Sequence, residues 1–414
     1  MRILLLTQLF QPEPNHLKGL DFARELVRRG HEVEVLTGFP NYPGGKVYPG
    51  YRIRPWMRET LDGIRVTRVF MYPSHDRSAI RRMAAYLSFA LTASILGPFL
   101  IARPDVIHVY QGPSTLGGPA SVFKAMFGTP FILDVQDLWP ESVSSTAMLP
   151  LPGVESILGI WSKLIYHLAK KIVVLSEGYR NCLLRRGVPD DKIKVVYNWC
   201  DERSIPQDGK SGGEDPYGFR GKFNIVYSGN FGTVQALKNV LDAAVLVADS
   251  RPDIRFVLVG DGVEESRLKE IVARRGQHNV LFVPRQSPEC LKAITASADV
   301  LLVHLKDDPL AQIGIPQKIQ TALAAGKPVL LVVRGSAAEL VCKAGAGLIC
   351  RPGSPRELAE AGMKMAGLPE EQLRTMGKNG REFYTRNLAF PLGVGKMEAI
   401  FESAVRTDQG GIRR

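Results

Sequence analysis

The sequence predicts an α/β protein made of two tandem domains, each a Rossmann-like, doubly wound parallel sheet. Three observations carry this. Short apolar runs bounded by turn residues alternate with amphipathic stretches along nearly all of the 414 residues. That length is two to three times a typical domain of about 100–200 residues. Residues 201–221, rich in Ser, Gly, Asp, Pro and Lys and poor in large apolar side chains, separate one series of runs from the next.

The first element is Ile3–Leu6, an apolar run closed by polar and proline residues, which reads as a buried strand. A helical pattern follows from Leu17 to Arg29 with Gly30 as its C-cap, and His31–Leu36 reads as a second strand. Strand, helix and strand in this short span make a βαβ unit with a right-handed crossover. Further strands are expected at Arg65–Phe70, Val106–Tyr110, Phe131–Asp134, Lys171–Leu175 and Lys194–Tyr197. Beyond the linker they are expected at Phe223–Tyr227, Arg255–Val259, Val280–Phe282, Val300–His304, Val329–Val333 and Gly347–Cys350. Leu373 to Ala404 reads as helical, interrupted near Pro391. The expected domains are residues 1–200 and 222–385, with the last stretch, 386–414, packing back on the first domain.

Hydrophobic residues make up 45% and charged residues 23%, a mix that excludes a mainly disordered chain. Five cysteines without a C-x-x-C pair argue against a disulfide framework or a zinc site and for a reducing compartment. The seven histidines show no metal-ligand spacing. The apolar run at residues 3–6 is too short for the core of a secretory signal. The net charge of +12 leans toward residues 1–200, which hold 24 basic and 16 acidic residues. Such a balance suits anionic partners.

Ligands of open α/β sheets bind beyond the carboxyl ends of the strands. Two such domains facing each other would form a cleft, the natural form of a two-substrate enzyme. In the second half, Tyr227-Ser228-Gly229-Asn230-Phe231-Gly232 follows a strand and precedes a helix from about Ala236. Gly229 and Gly232 would let backbone amides approach a phosphate, with Lys238 adding a cation. Gly260-Asp261-Gly262 follows the next strand, and Arg285 the one after. Ile313-Gly314-Ile315-Pro316-Gln317-Lys318 leads into another helix. Gly314 would offer amides there, and Lys318 would oppose the helix dipole unless an anion joined it.

In the first half, Asp134-Val135-Gln136-Asp137-Leu138-Trp139-Pro140-Glu141 ends a strand. Asp137 or Glu141 suits a general base toward a hydroxyl, and Glu141 reads equally well as a helix cap. Asn15, His16 and Lys18 lie where a loop of this half would reach the cleft. Met83 to Ala102 carries no charge and approaches transmembrane length, but α/β elements flank it on both sides. It reads as a helix that packs on the sheet and touches a membrane, with Arg77, Arg81 and Arg82 placed for anionic headgroups.

Several stretches in order along the chain carry a resemblance: MRILLLTQLFQPEP, ELVRRGHEVEVLTGFPNYP, LDVQDLWPES, IVYSGNFG, FVLVGDGVEESRL, ITASADVLLV, TALAAGKPVL and GAGLICRPGSPRELAEA. Together they resemble the family 4 retaining glycosyltransferases of GT-B fold, in the branch that builds bacterial capsule, O-antigen and colanic-acid repeats. The resemblance implies a nucleotide-sugar donor on the C-terminal half, where the Gly229–Gly232 loop with Asn230, Arg285 and the Gly314–Lys318 region match the family's donor site. Lys238, Gly260 and Asp261, read from their place beyond the strands, and Thr321, at a departure from the family, complete the expected donor set. It implies an acceptor on the N-terminal half, where the loop residues Asn15, His16 and Lys18 are the expected contacts although the family's usual glycine pair is replaced around Asn15-His16. It also implies transfer with retention and no metal, and the residues expected in catalysis are Asp137 and Glu141, from the strand-end reading above, and Lys318. The departures are specific. Paired glutamates of many relatives are here Ile313 and Thr321, a histidine is Gln136, and an arginine after the first glycine is Asn230.

The resulting expectation is a UDP-sugar, carrying an N-acetylhexosamine or a deoxy derivative, and a lipid-linked or saccharide acceptor in surface polysaccharide synthesis. The enzyme would be peripheral on the cytoplasmic face of the cell membrane. Two other classes fit less well. A dehydrogenase would need G-x-G-x-x-G after a first strand, missing in both halves. A nucleic-acid binder would need clustered basic residues interleaved with aromatics, whereas the basic residues here are scattered.

Overall fold

The computed structural model describes residues 1–15, 17–74, 78–142, 153–206 and 217–409. The chain divides into two compact units, one of Met1–Tyr197 together with the stretch from Gly393 onward, the other of Asn198–Leu392. Residues 207–216 of the expected linker, together with His16 and Arg77, lie outside the described residues.

The first unit is built on eight strands: β1 Arg2–Leu6, β2 Glu32–Gly38, β3 Trp56–Leu61, β4 Ile64–Val69, β5 Val106–Gln111, β6 Phe131–Val135, β7 Lys171–Val174 and β8 Ile193–Val195. Their order in the sheet is β3-β4-β2-β1-β5-β6-β7-β8. The crossovers carry α1 Leu20–Arg28, α2 Ala79–Leu100, α3 Gly117–Phe127, α4 Val154–Leu168 and α5 Glu177–Arg185. β1 lies between β2 and β5, so the strand order reverses there, the place where such sheets bind ligands. The central strands are almost wholly apolar because both faces are covered.

One part of this sheet departs from the all-parallel expectation. β3 pairs antiparallel with β4. The two-residue turn Asp62-Gly63, with φ of 51° and 80°, makes the hairpin. β3 lies at the sheet edge with every second residue exposed, so its apolar signal is weak.

α2 begins at Ser78, whose side chain accepts from the Arg81 N–H. Ala85, Phe89, Ala93 and Gly97 are its buried residues on the sheet side. Thr92 ties it to the residue after β4 by donating to the Phe70 carbonyl at 2.5 Å. It packs on the unit while leaving a row of large apolar side chains in the open.

The second unit has six parallel strands: β9 Phe223–Ser228, β10 Ile254–Val259, β11 Val280–Val283, β12 Val300–His304, β13 Val329–Val332 and β14 Gly347–Ile349. Their order is β11-β10-β9-β12-β13-β14, with the reversal at β9. The helices are α6 Lys238–Ala248, α7 Glu265–Arg275, α8 Pro288–Ser297, α9 Pro309–Ile313, α10 Gln317–Ala324, α11 Ser336–Ala344, α12 Pro355–Ala366 and α13 Glu370–Asn387. The core of this unit gathers Ile225, Leu241, Phe256, Leu302, Leu330 and Leu358 around the sheet.

The last helix, α14, spans Phe390–Gln409. The break in the terminal helical stretch therefore falls at Leu388–Ala389, and Pro391 sits in the first turn of α14, where its missing N–H costs nothing. Val394, Met397, Phe401 and Ala404 are buried in the first unit. Glu398 of this helix accepts from Arg29 and lies against His31, each at 2.8 Å.

Candidate active site

In the second unit the loops after β9 and β10 are pressed together at the carboxyl end of the sheet. Gly229, Gly260 and Gly262 have φ of 143°, 143° and 150°, which only glycine adopts readily. A Cβ on Gly260 would come within 2.0 Å of the Gly229 carbonyl oxygen. Several amides expected to be open to a ligand are instead used internally. Gly229 N–H donates to the Val259 carbonyl at 2.9 Å and Gly314 N–H to Leu310 at 3.1 Å. Gly232 N–H donates to Gln235 Oε1 at 3.1 Å. The glycines thus bring the loops close, and these three amides fasten the loops rather than face a phosphate.

Lys318, the second residue of α10, supplies the charge. Its ammonium lies 5.1 Å from the centroid of the Tyr227 ring. It also rests against Gly229, where a Cβ would be 2.6 Å from Cε and 2.7 Å from Nζ. Burial alone pulls its pKa below the usual lysine range, and no neighbouring charge contributes. A cation held near a helix N-terminus, half out of water and without a carboxylate among the described residues, is poised for an anion.

The other expected donor-site residues have varied surroundings. Lys238 is bonded to Asp242 one turn along its own helix at 2.7 Å, so it is not a spare cation for this loop. Burial works to raise the pKa of Asp242, but Lys238 and Arg275 hold it below the carboxylate range. Arg285 and Asp261 are both exposed and 3.9 Å apart. The Asn230 carbonyl accepts from the Tyr227 hydroxyl at 2.8 Å. Thr321 donates back to the Gln317 carbonyl at 3.2 Å, leaving its oxygen able to accept.

His304, at the end of β12, was not singled out by sequence. It is buried, and its Nδ1 lies 2.8 Å from the Gln235 carbonyl. A carbonyl only accepts, so Nδ1 carries the proton and Nε2 keeps its lone pair. Burial pushes its pKa down to about 4. The one available signal was its place at the carboxyl end of a strand beside the first glycine loop.

In the first unit a pocket of about 280 Å³ opens at the carboxyl ends of β1, β2, β4, β5 and β6. Tyr42, Tyr86, Tyr110 and Trp139 wall it, with Gln8, Asn41 and Asp137 among its polar groups. Among the described residues, no lysine or arginine lines it. The Tyr86 and Trp139 rings pack at 6.2 Å, tilted by 60°. Glu13 fixes the rim by accepting from the N–H groups of Asn41 at 2.7 Å, Tyr42 at 2.8 Å and Phe10 at 3.3 Å.

Asp137 is exposed on the pocket side, but protein crowds the rest of it. That desolvation pushes its pKa up to about 6, so it is a weak acid that stays ionised at neutral pH. Glu141 is paired with Arg186, which also donates to the Trp139 carbonyl at 2.8 Å. It therefore holds the chain in place, and Asp137 is the carboxylate that faces the pocket.

Lys18 does not face an acceptor. Its side chain is fully buried, with Nζ 3.5 Å from Asp134. Asp134 also meets His108 at 3.0 Å and accepts from Gln136 Nε2 at 2.6 Å. Burial opposes the Asp134 charge, but Lys18 and His108 outweigh it and hold its pKa below the usual range. This buried cluster fixes the start of the Gln136–Asp137 turn. Asn15 is likewise structural in its bonds, donating to the Leu9 carbonyl at 3.1 Å and accepting from Lys18 N–H at 3.1 Å.

Comparison with known proteins agrees with this architecture. Residues 20–199 match the model of a glycosyl transferase 4-like domain, and residues 216–383 that of glycosyl transferases group 1. The chain is 27% identical over 348 residues to the putative colanic acid biosynthesis glycosyl transferase WcaI of Escherichia coli, covering 79% of this chain and 82% of that one. Sucrose-phosphate synthase of Thermosynechococcus elongatus superposes with a TM-score of 0.72 at 16% identity, covering 98% of this chain and 100% of the other. HepE of Anabaena, solved with UDP and glucose, gives a TM-score of 0.69 at 16% identity, covering 97% and 99%. The chain is a glycosyltransferase: it belongs to family 4 and has the GT-B fold.

Proposed function

We propose that the second unit binds a UDP-sugar by its diphosphate at Lys318, and that the first unit binds the acceptor in the pocket walled by Tyr42, Tyr86, Tyr110 and Trp139. The observation that carries this reading is the half-buried Lys318 ammonium, set on the Tyr227 ring against Gly229 with no counter-charge among the described residues. A diphosphate completes that arrangement. HepE, a protein of the same fold, was solved with UDP, which supports the choice of nucleotide.

The chemistry follows from charge. The acceptor hydroxyl oxygen bonds to the anomeric carbon as the bond from that carbon to the diphosphate breaks. Negative charge grows on the leaving diphosphate, where Lys318 and the start of α10 stabilise it. The hydroxyl proton passes to Asp137, ionised above about pH 6. We infer from its membership of family 4 that attack comes on the donor's front face, with retention of configuration and no metal. Among the described residues the pocket has aromatic walls and no cation, so it suits a neutral sugar ring. We infer an N-acetylhexosamine or deoxy-sugar donor, and a lipid-linked acceptor of surface polysaccharide synthesis at the inner face of the membrane. The likeness to a colanic acid transferase and the apolar outer face of α2 support the lipid-linked acceptor.

The test is a panel of UDP-, GDP- and ADP-sugars offered with polyprenyl-diphosphate sugars and with free saccharides. The expected result is one UDP-sugar consumed only with an acceptor, giving an α-linked product from an α-donor. Absence of binding by every nucleotide sugar overturns the reading. Transfer to free saccharides as fast as to lipid-linked ones moves the acceptor to the soluble class.

A further inference from the structure

One face of the first unit is unlike the rest of its surface. Along α2 the side chains of Ile80, Leu87, Leu91, Ile95 and Phe99 are 76%, 54%, 61%, 55% and 78% exposed. At 100° per residue they fall within an arc of about 120°, a single stripe. Only 28% of the most apolar part of this helix is buried. α4 presents a second stripe, Ile157, Ile160 and Leu164, at 67%, 70% and 48% exposure. The two helices meet around Trp139, which packs against Ala79, Met83 and Tyr86 of α2 and Leu158 of α4. Exposed apolar groups on two helices bridged by Trp139 are more than the scattered ones of an ordinary surface.

The charges flanking the α2 stripe have one sign, while α4 carries Glu155 in its first turn as well as Lys163. Between Ser78 and Pro104 there is no Asp or Glu, and Arg81, Arg82 and Arg103 stand at the two ends of α2. Arg81, Arg103 and Lys163 of α4 are exposed. We propose that this α2–α4 face docks on an anionic lipid bilayer, with the aliphatic stripes in the acyl boundary and the basic groups among the headgroups. Insertion stops at the side chains. α2 is bonded to the residue after β4 through Thr92 and buries Phe89 in the unit, so it cannot leave to span the membrane.

The face also adjoins the acceptor pocket. Tyr86 and Trp139, which pack where α2 and α4 meet, line the pocket as well. A substrate anchored in the same bilayer can present its head group there while its chain stays in lipid. This last step rests on the pocket being the acceptor site; the docking itself does not.

The test is co-sedimentation of the full chain with phosphatidylcholine vesicles, with and without phosphatidylglycerol. Wild-type protein is expected to sediment with the anionic vesicles and to be released by salt. The exposed-site variants Leu91→Glu/Ile95→Glu and Ile160→Glu should each bind about tenfold more weakly and together fall to background. Arg81→Gln should cost about fivefold on anionic vesicles alone. Melting temperature and UDP affinity should stay at wild-type values in every variant, which separates docking from folding and from donor binding. Wild-type protein that ignores anionic vesicles, or variants that sediment as it does, overturn the proposal. So does a wild-type dimer in light scattering that Leu91→Glu/Ile95→Glu splits, because a second copy then covers the face.

Discussion

Replacing Lys318 with methionine keeps the stem of the side chain and removes its charge. In the free protein the ammonium has one favourable neighbour, the Tyr227 ring at 5.1 Å, worth about 0.5–2 kcal/mol. Against that stands the cost of holding the charge half out of water, which lowers its pKa. The two oppose each other, so stability should change by no more than about 1 kcal/mol. The melting temperature should stay within about 4 °C of wild type. Nucleotide binding behaves otherwise. A charge-assisted hydrogen bond to a phosphate is worth about 1.5–3 kcal/mol, so losing it should weaken UDP about thirtyfold. Uridine carries no phosphate and should bind the variant as it binds wild type. Isothermal titration calorimetry with UDP and uridine at one salt concentration reads both values. UDP affinity within twofold of wild type, or an equal loss for uridine, refutes the placement of the diphosphate at Lys318.

Three further outcomes follow from the same geometry. Gly229→Ala puts a methyl 2.6 Å from Lys318 Cε at a φ of +143°; it should cost about 1–3 kcal/mol in urea unfolding. It should also weaken UDP, and Gly229→Ala/Lys318→Met should bind UDP no worse than Lys318→Met alone. Asp137→Asn should abolish the rise of kcat/KM through about pH 6 and lower its plateau about a hundredfold, with the melting temperature at pH 8 held or raised because a crowded charge is gone. His304 is neutral when folded, with a pKa near 4 against 6.5 for the free side chain, so its contribution is present above pH 6.5 and lost as pH falls toward 4. His304→Gln should flatten the stability–pH curve across that window by up to about 3 kcal/mol, as read by denaturant unfolding at fixed pH values.

The strand framework was legible because buried parallel strands are short apolar runs, and twelve-odd residues of helix between them punctuate the pattern. Val300–His304 coincides with β12 residue for residue. β3 was missed although Asp62-Gly63 is a hairpin signal, because Trp56–Leu61 is an exposed edge strand and shows no core face. The site was legible in outline only. Glycine after a strand signals close approach, but not what approaches. Gly229 admits both the β10 loop and a lysine nearly ninety residues further along the chain. Whether a lysine near a helix start is spare depends on its neighbours. Lys238 meets Asp242 one turn on, a spacing open to inspection, whereas the burial of Lys18 against Asp134 depends on how distant strands pair. The pocket gathers side chains from segments scattered between Thr7 and Ser142, and no local pattern marks such a convergence.

The most direct measurement is a crystal structure with an uncleavable UDP-sugar analogue. The diphosphate should lie within ion-pair distance of Lys318 Nζ, beside the Gly229–Gly232 loop and the start of α10. Density for it in the Tyr42–Trp139 pocket, or anywhere that leaves Lys318 without an anion, contradicts the account.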